Sequence, residues 1–248
     1  MTAPTTLAAR AFRGSATEGR GTAELEAIVS HVGAELELAP AEDIIEWAVA
    51  TFGSRFCVTS SMADAVLAHL ASQMAPGIDV VFLDTGYHFA ETLGTRDAVA
   101  TTLPVNVVTL TPRQTVAQQD ASYGPDLFAR DPDLCCRLRK VEPLERGLAD
   151  YDAWATGLRR AETHDRVIAP VVGWDEGRQK VKVSPLARWS DEDVERYGAA
   201  HGVLLNPLQH DGYPSLGCWP CTRRVAPGED ARSGRWAGTT KTECGIHA

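Results

Sequence analysis

An α/β fold, with a mainly parallel sheet flanked by helices, is predicted by the order of apolar segments in the first half of the chain. From residue 55 to about 120, short Val- and Phe-rich runs alternate with longer amphipathic stretches, the signature of parallel strands joined by crossover helices. The runs end in small polar residues, as strands of such sheets do where they meet a ligand. A length of 248 residues with 44% hydrophobic and 23% charged residues suffices for one sizeable core.

Each element follows from its local pattern. Residues 1–21 are Ala, Thr, Gly and Arg without periodicity and are expected to be disordered. TAELEAIVSHVGAELE and PAEDIIEWAVATFG predict two amphipathic helices, the second opened by Pro40 and closed by Gly53. RFCVTSS predicts a strand, MADAVLAHLASQM a helix, VVFLDTG a second buried strand, HFAETLGTRDAVA a helix, and VNVVTL a third strand followed by a helix from Pro112. Further on, YDAWATGLRR predicts strand then loop and QKVKVSPL a strand. SDEDVERYGAAHG predicts a helix with Ser190 as N-cap and Gly202 as terminator. After Asn206 the periodicity stops. The remaining residues, 206–248, are rich in Gly, Pro, Ser and Thr and hold three of the six cysteines, which predicts a cofactor-pinned, partly mobile segment appended to a body of residues 22–205.

A net charge of -9 excludes a broad nucleic-acid or membrane-binding face, because phosphate-backbone binding rests on an excess of cations. The longest apolar runs, such as VVFL at 80–83, are strand-sized, and the N-terminus lacks a basic region followed by a long apolar segment. Irregularly spaced cysteines without a secretory signal read as cytosolic thiols, so a cytoplasmic location is expected. Residues 218–248 reverse the sign of the chain. There Arg223, Arg224, Arg232, Arg235 and Lys241 outnumber Glu229, Asp230 and Glu243, a balance suited to a small anion, though also to a solvated surface.

Three strand-end loops offer donors to such an anion: Thr59-Ser60-Ser61-Met62-Ala63-Asp64, Leu83-Asp84-Thr85-Gly86, and Gly157-Leu158-Arg159-Arg160 with Arg166 beyond it. Each alone is also ordinary turn chemistry. Their common place at strand ends distinguishes them.

The thiols carry the sharpest signal. Cys135-Cys136 stands against Arg137, Arg139 and Lys140, and about eighty residues later comes the pair Cys218-Trp219-Pro220-Cys221. Adjacent cysteines point apart, which is awkward for one tetrahedral zinc but suits a cubane that offers a separate iron to each thiolate. A redox pair at 218 and 221 or a vicinal disulfide at 135 and 136 remain open, but neither explains why the two motifs occur together. Cys57, mid-strand between Phe56 and Val58, reads as a small buried hydrophobe. Cys244, in Lys241-Thr242-Glu243-Cys244-Gly245-Ile246-His247, is expected to be an exposed terminal thiol with cations three residues away on each side if His247 is protonated. It is either a nucleophile or a stray surface cysteine.

Taken together, CCRLRK, SSMADA, LDTG, TGLRR with a following arginine, the GCWPC pair, RSGRW and KTECGIH resemble the bacterial adenosine 5'-phosphosulfate (APS) reductases of assimilatory sulfate reduction, from about residue 40 to the C-terminus. The resemblance implies an adenine-nucleotide alpha hydrolase-like fold, one 4Fe-4S cluster per chain on Cys135, Cys136, Cys218 and Cys221, and Cys244 as nucleophile. It implies substrate contacts at Ser60, Ser61, Leu83, Asp84, Thr85, Gly86, Lys140, Gly157, Arg159, Arg160, Arg166, Arg232, Arg235, Trp236 and His247. Nucleotide-activating relatives carry an SGGxDS loop where this chain has Ser60-Ser61-Met62-Ala63-Asp64-Ala65, a departure that suits the reductase branch and argues against ATP cleavage. The implied reaction is attack of Cys244 on APS to give a thiosulfonate and AMP. Release of sulfite by thioredoxin follows, since no thioredoxin-like domain is expected within this length. The setting is sulfate assimilation and cysteine biosynthesis, without nucleic acid or membrane and compatible with a homo-oligomer. The alternatives are a reductase of the 3'-phosphorylated nucleotide (PAPS), which typically lacks the cluster cysteines, and a thiolate-metal nucleotide-binding or sulfur-transfer protein.

Overall fold

The structure, a computed structural model, describes residues 19–239 and 241–247. Most of the segment expected to be disordered, 1–18, lies outside the described residues. At its end the backbone N–H and guanidinium of Arg20 donate to the buried Asp152, and the guanidinium also reaches the Thr51 carbonyl.

Two helices open the fold, α1 (Thr22–Leu36) and α2 (Ala41–Phe52). Alternation follows: β1 (Phe56–Thr59), α3 (Val66–Met74), β2 (Asp79–Leu83), α4 (Ala90–Thr102), β3 (Asn106–Leu110) and α5 (Val116–Tyr123). α3 begins four residues later than the apolar pattern suggests, because 60–65 is spent on a turn. α5 begins at Val116, not Pro112, because the side chains of Thr115 and Gln118 form a reciprocal capping box. Short helices α6 (Leu127–Arg130) and α7 (Pro132–Cys136) lead through a π-helical turn at Arg137–Val141 into α8 (Glu142–Gly147). Then come β4 (Ala153–Ala155), β5 (Val172–Asp175), β6 (Lys180–Val183) and α9 (Asp191–His201). α9 starts at the predicted Ser190 cap and ends at Gly202 in the left-handed region.

The six strands run in the order β3-β2-β1-β4-β6-β5, and all pairs are parallel except β5 with β6. β5 was not legible because VGWD is short and carries a glycine. Period-2 alternation sorts the side chains between two faces. Phe56, Val58, Val80, Phe82, Ala153, Ala155, Val181 and Val183 join the larger core with residues of α1–α4, whereas Cys57, Val81 and Trp154 face a smaller cluster with Leu144, Leu148 and the tail residue Ile246. Cys57 is fully buried there, as its strand position implies.

The chain proceeds from β1 to β2 and β3 on one side, then returns to β4 on the other side of β1. This reversal is the switch point where parallel sheets open a crevice at the carboxyl ends of their strands. The three candidate anion loops leave β2, β1 and β4, adjacent strands flanking that point. One glycine there has no substitute. Gly86 has φ +72°, and a Cβ on it would stand 2.9 Å from Nη2 of Arg139 and 3.2 Å from Val116. Gly86→Ala is therefore expected to lose about 2 kcal/mol of stability, measured as a lower urea midpoint; an unchanged midpoint would show that the loop relaxes without cost.

Candidate active site

The cysteine-rich corner is assembled from two distant segments. Asp131 caps α7 by accepting the Leu134 N–H at 2.9 Å, and Pro132 starts the helix, so Cys135 and Cys136 occupy its last turn. The π turn that follows widens the spacing of the next side chains. Arg139 goes inward: its guanidinium donates to the Thr85 carbonyl and, at 3.0 Å, to Oε1 of Gln119, and lies 5.1 Å from the Tyr87 ring centre. Lys140 turns to the thiols. From the other segment, the Trp219 N–H donates to the Tyr87 carbonyl at 2.8 Å, and Thr85 Oγ1 lies 3.3 Å from Cys218 Sγ. The LDTG loop, an expected nucleotide contact, thus touches a pair cysteine directly.

Cys135, Cys136, Cys218 and Cys221 line one pocket with Arg139, Lys140, Arg235 and Trp236. All four are free thiols. Burial, and then the neighbouring cysteines, push the Cys135 thiol up to about 12 and that of Cys221 up to about 11. Burial also raises Cys136, against the pull of Lys140. Burial opposes the charge on Lys140, yet Cys218, Cys244 and Cys136 together hold it above the usual lysine value. Cys135, Cys136 and Cys221, desolvated and held protonated, are a cost unless a cationic centre replaces their protons. No group of three or more His, Cys, Asp or Glu side chains that could hold a metal ion is found among the described residues. The four cysteines instead line one pocket together.

Residues 221–239 and 241–247 return over this corner. The Trp236 N–H donates to the Cys221 carbonyl at 2.9 Å, and Thr222 bridges Arg235. Arg235 donates to the Leu216 carbonyl at 2.9 Å, while its Nε is buried without a partner. Cys244 is not the exposed thiol expected from its place near the terminus. It is 8% exposed and packs with Cys136 and Trp236, because the tail folds back onto the sheet. The charge that the sequence allows His247 if protonated is not favoured here. Burial and then Lys182 push His247 well below the usual histidine range, so it is neutral at pH 7. Its ring stacks on Trp154 at 6.3 Å between centres, Lys182 donates to its carbonyl at 3.3 Å, and its Nδ1 has no partner.

The structure thus brings the four paired thiols, Cys244, Lys140, Arg235 and Trp236 to one corner, with His247 and the strand-end loops beside it. In those loops Ser60 Oγ accepts the Met62 N–H at 3.1 Å, Asp84 accepts the Gly86 N–H at 3.0 Å, and Gly157 has open space above it. The remaining arginines are committed to protein partners. Arg159 pairs with Glu162 and Asp191, and Arg160 turns away to Glu37 at 2.7 Å. Arg166 and Arg232 both bind Glu243. Sequence reasoning missed Arg139, Glu243 and Asn206. Arg139 and Glu243 sat inside quoted motifs, but only as members of a charge count. Asn206, fully buried, donates to the Met62 carbonyl and to Thr92 at 3.1 Å each and so fixes the SSMADA turn, with no local signal to mark it.

The profile of the family described as Phosphoadenosine phosphosulfate reductase domain matches residues 55–224. The chain is 68% identical over 230 residues to a protein of Streptomyces coelicolor named Adenosine 5'-phosphosulfate reductase, covering 93% of this chain and 98% of that one. A protein of the same name from Mycolicibacterium smegmatis is 54% identical over 90% of this chain and 95% of its own. Among solved structures, a phosphoadenylyl-sulfate (PAPS) reductase from Candida auris in a phosphate complex superposes with a TM-score of 0.67 at 25% identity, over 79% of this chain and 96% of that one.

Proposed function

This chain belongs to the phosphoadenosine phosphosulfate reductase family, and from that premise we propose that it reduces APS to sulfite and AMP with thioredoxin as electron donor. The observation that carries the reading is Cys244 lying buried against Cys136 in a corner that also holds Lys140 and Arg235. The nucleotide would sit in the crevice over β2, β1 and β4, with loops at Ser60-Ser61, Leu83-Asp84-Thr85-Gly86 and Gly157 presenting donors to it.

APS joins phosphate to sulfate through a mixed anhydride. The Cys244 thiolate attacks the sulfur, the bond from sulfur to the bridging oxygen breaks, and AMP leaves with that electron pair. An anionic nucleophile must approach an anionic sulfate, and here Lys140 and Arg235 supply the compensating charge. Preorganised donors of this kind contribute roughly 3 to 4 kcal/mol each. Neutral His247 contributes a hydrogen bond rather than a charge. A thiolate of thioredoxin then attacks the Cys244 sulfur, releasing sulfite and forming a mixed disulfide that its second thiol resolves. The dithiol is oxidised, and the sulfonate is reduced by the same two electrons.

Cys135, Cys136, Cys218 and Cys221 would hold a 4Fe-4S cluster. When bound, it ties the segment around Cys218 to α7 and adds negative charge beside Lys140. Lys140 would ease the charge of both the thiolates and the substrate.

The test is AMP release from APS, dependent on thioredoxin. The presence of both cysteine pairs favours APS over PAPS, so kcat/KM for APS is expected to far exceed that for PAPS. Comparable values for the two nucleotides would refute that preference, and absence of AMP release from either would refute the reaction.

A further inference from the structure

Glu243 stands directly before the nucleophile, and its carboxylate is the most completely engaged group of the tail. Nε of Arg166 donates to Oε1 at 2.8 Å and Nη2 to Oε2 at 2.8 Å, a bidentate pair. The third side of the guanidinium is taken by Glu162, through Nη1. Arg232 approaches Glu243 at 3.4 Å and donates to the Thr242 carbonyl at 3.1 Å. Glu162 and Glu243 thus both engage Arg166, with Arg159 also on Glu162 and Arg232 also on Glu243, so the charge of Arg166 is already matched within the protein. Arg166 is buried, with all three of its nitrogens spent on protein carboxylates.

Residues 241–244 form neither helix nor strand, so no backbone ladder sets the register of the tail. Its side chains set it. Glu243 goes to Arg166, in the turn His164–Arg166 beyond β4, while Cys244 goes to Cys136 and Trp236 at the corner of α7. Neighbouring Cα atoms are about 3.8 Å apart, so seating one of these residues confines the other. We infer that Arg166 and Glu243 form a latch that positions Cys244, and that Arg166 is a positioning residue of the tail instead of a substrate contact. The inference rests on Cys244 being the nucleophile of the proposed reaction.

The latch governs how often Cys244 is uncovered, because Glu243 is the residue next to it in the chain. Breaking it shifts the tail toward undocked states, a local opening that leaves the sheet and the thiol corner in place. The conservative variant is informative here. Arg166→Lys keeps every charge but loses the fork that matches a carboxylate.

The test uses full-length protein purified anaerobically, with Arg166→Lys and Glu243→Gln as variants. The first readout is the rate of iodoacetamide labelling of Cys244, read by mass spectrometry on the C-terminal peptide, with buried Cys57 as internal control. Labelling of Cys244 is expected to rise about tenfold in both variants, the scale of a lost charge-assisted pair, with Cys57 unchanged. The second readout is AMP affinity, expected to change less than about twofold, since Arg166 and Glu243 spend their charges on each other and on Glu162 and Arg232. The third is a kinetic split, in which kcat for APS falls and KM stays. Unchanged labelling in both variants overturns the latch. So does a tenfold or greater change of AMP affinity in Arg166→Lys, which would return Arg166 to the substrate and make Glu243 an occupant of its anion site. Labelling requires no turnover, so a failure of the proposed reaction would appear separately, as wild-type protein that releases no AMP from APS.

Discussion

Replacing Cys244 by serine is expected to abolish turnover, by about a thousandfold or more, because a serine hydroxyl without an adjacent base is a poor nucleophile where a thiolate is a good one. AMP binding and iron content should survive, since Cys244 belongs to neither cysteine pair and lies outside the strand-end loops. Wild-type protein mixed with APS in the absence of reductant should gain one sulfonate on the peptide containing Cys244, released as sulfite by thioredoxin. The geometry favours this thiol over the others. Cys57 is sealed on the sheet, with its thiol pushed well above the usual range by burial and then by Asp79, whereas Cys244 shares its corner with Lys140 and Arg235. A sulfonate on Cys57 or on a pair cysteine, or turnover by the serine variant, would show that the mechanism is wrong.

The second large effect concerns the paired thiols. The anaerobically purified protein is expected to be brown, with about four iron and four sulfide per chain, and Cys135→Ala or Cys221→Ala should remove most of both. The same variants should lower Tm by about 5–10 °C, because a bound centre that ties two distant segments contributes to folding directly. The loss should extend beyond the corner, since Trp236 is held to the Cys221 carbonyl and Thr85 to Cys218. A colourless, fully active preparation carrying stoichiometric zinc would sink this expectation.

Much of the fold was readable locally. The alternation from β1 to β3, the Pro40 and Gly53 boundaries of α2 and the Ser190 and Gly202 ends of α9 are all set by residues within a few positions of one another. Helix starts were misplaced where side chains chose the boundary, as Thr115 and Gln118 do for α5. The edge strand β5 was invisible because its partner β6 lies across a turn and VGWD has no alternating apolar pattern of its own. The chemistry-bearing residues were readable by type: two thiol pairs, one separate thiol and clustered cations. Their states were not. His247 would be a cation only if protonated, and burial, with Lys182, Arg166 and Arg178 nearby, pushes its pKa well below the usual histidine range.

Residue order alone marked the candidate thiols and cations and most of the strands and helices, because thiol spacing and hydrophobic period are properties of neighbours along the chain. Tertiary structure decided which of those groups meet. Thr85 reaches Cys218 across 133 positions, Lys241 reaches Asp133 across 108, and Arg166 grips Glu243 across 77. Cys244, four residues from the end, is buried as a result, and an arginine that looked free for substrate is taken up by the tail. Such pairings follow from how the sheet, α7 and the returning segment converge. Contacts between segments so far apart leave no periodic trace in the sequence, and they alone set burial and the charge left free for a ligand.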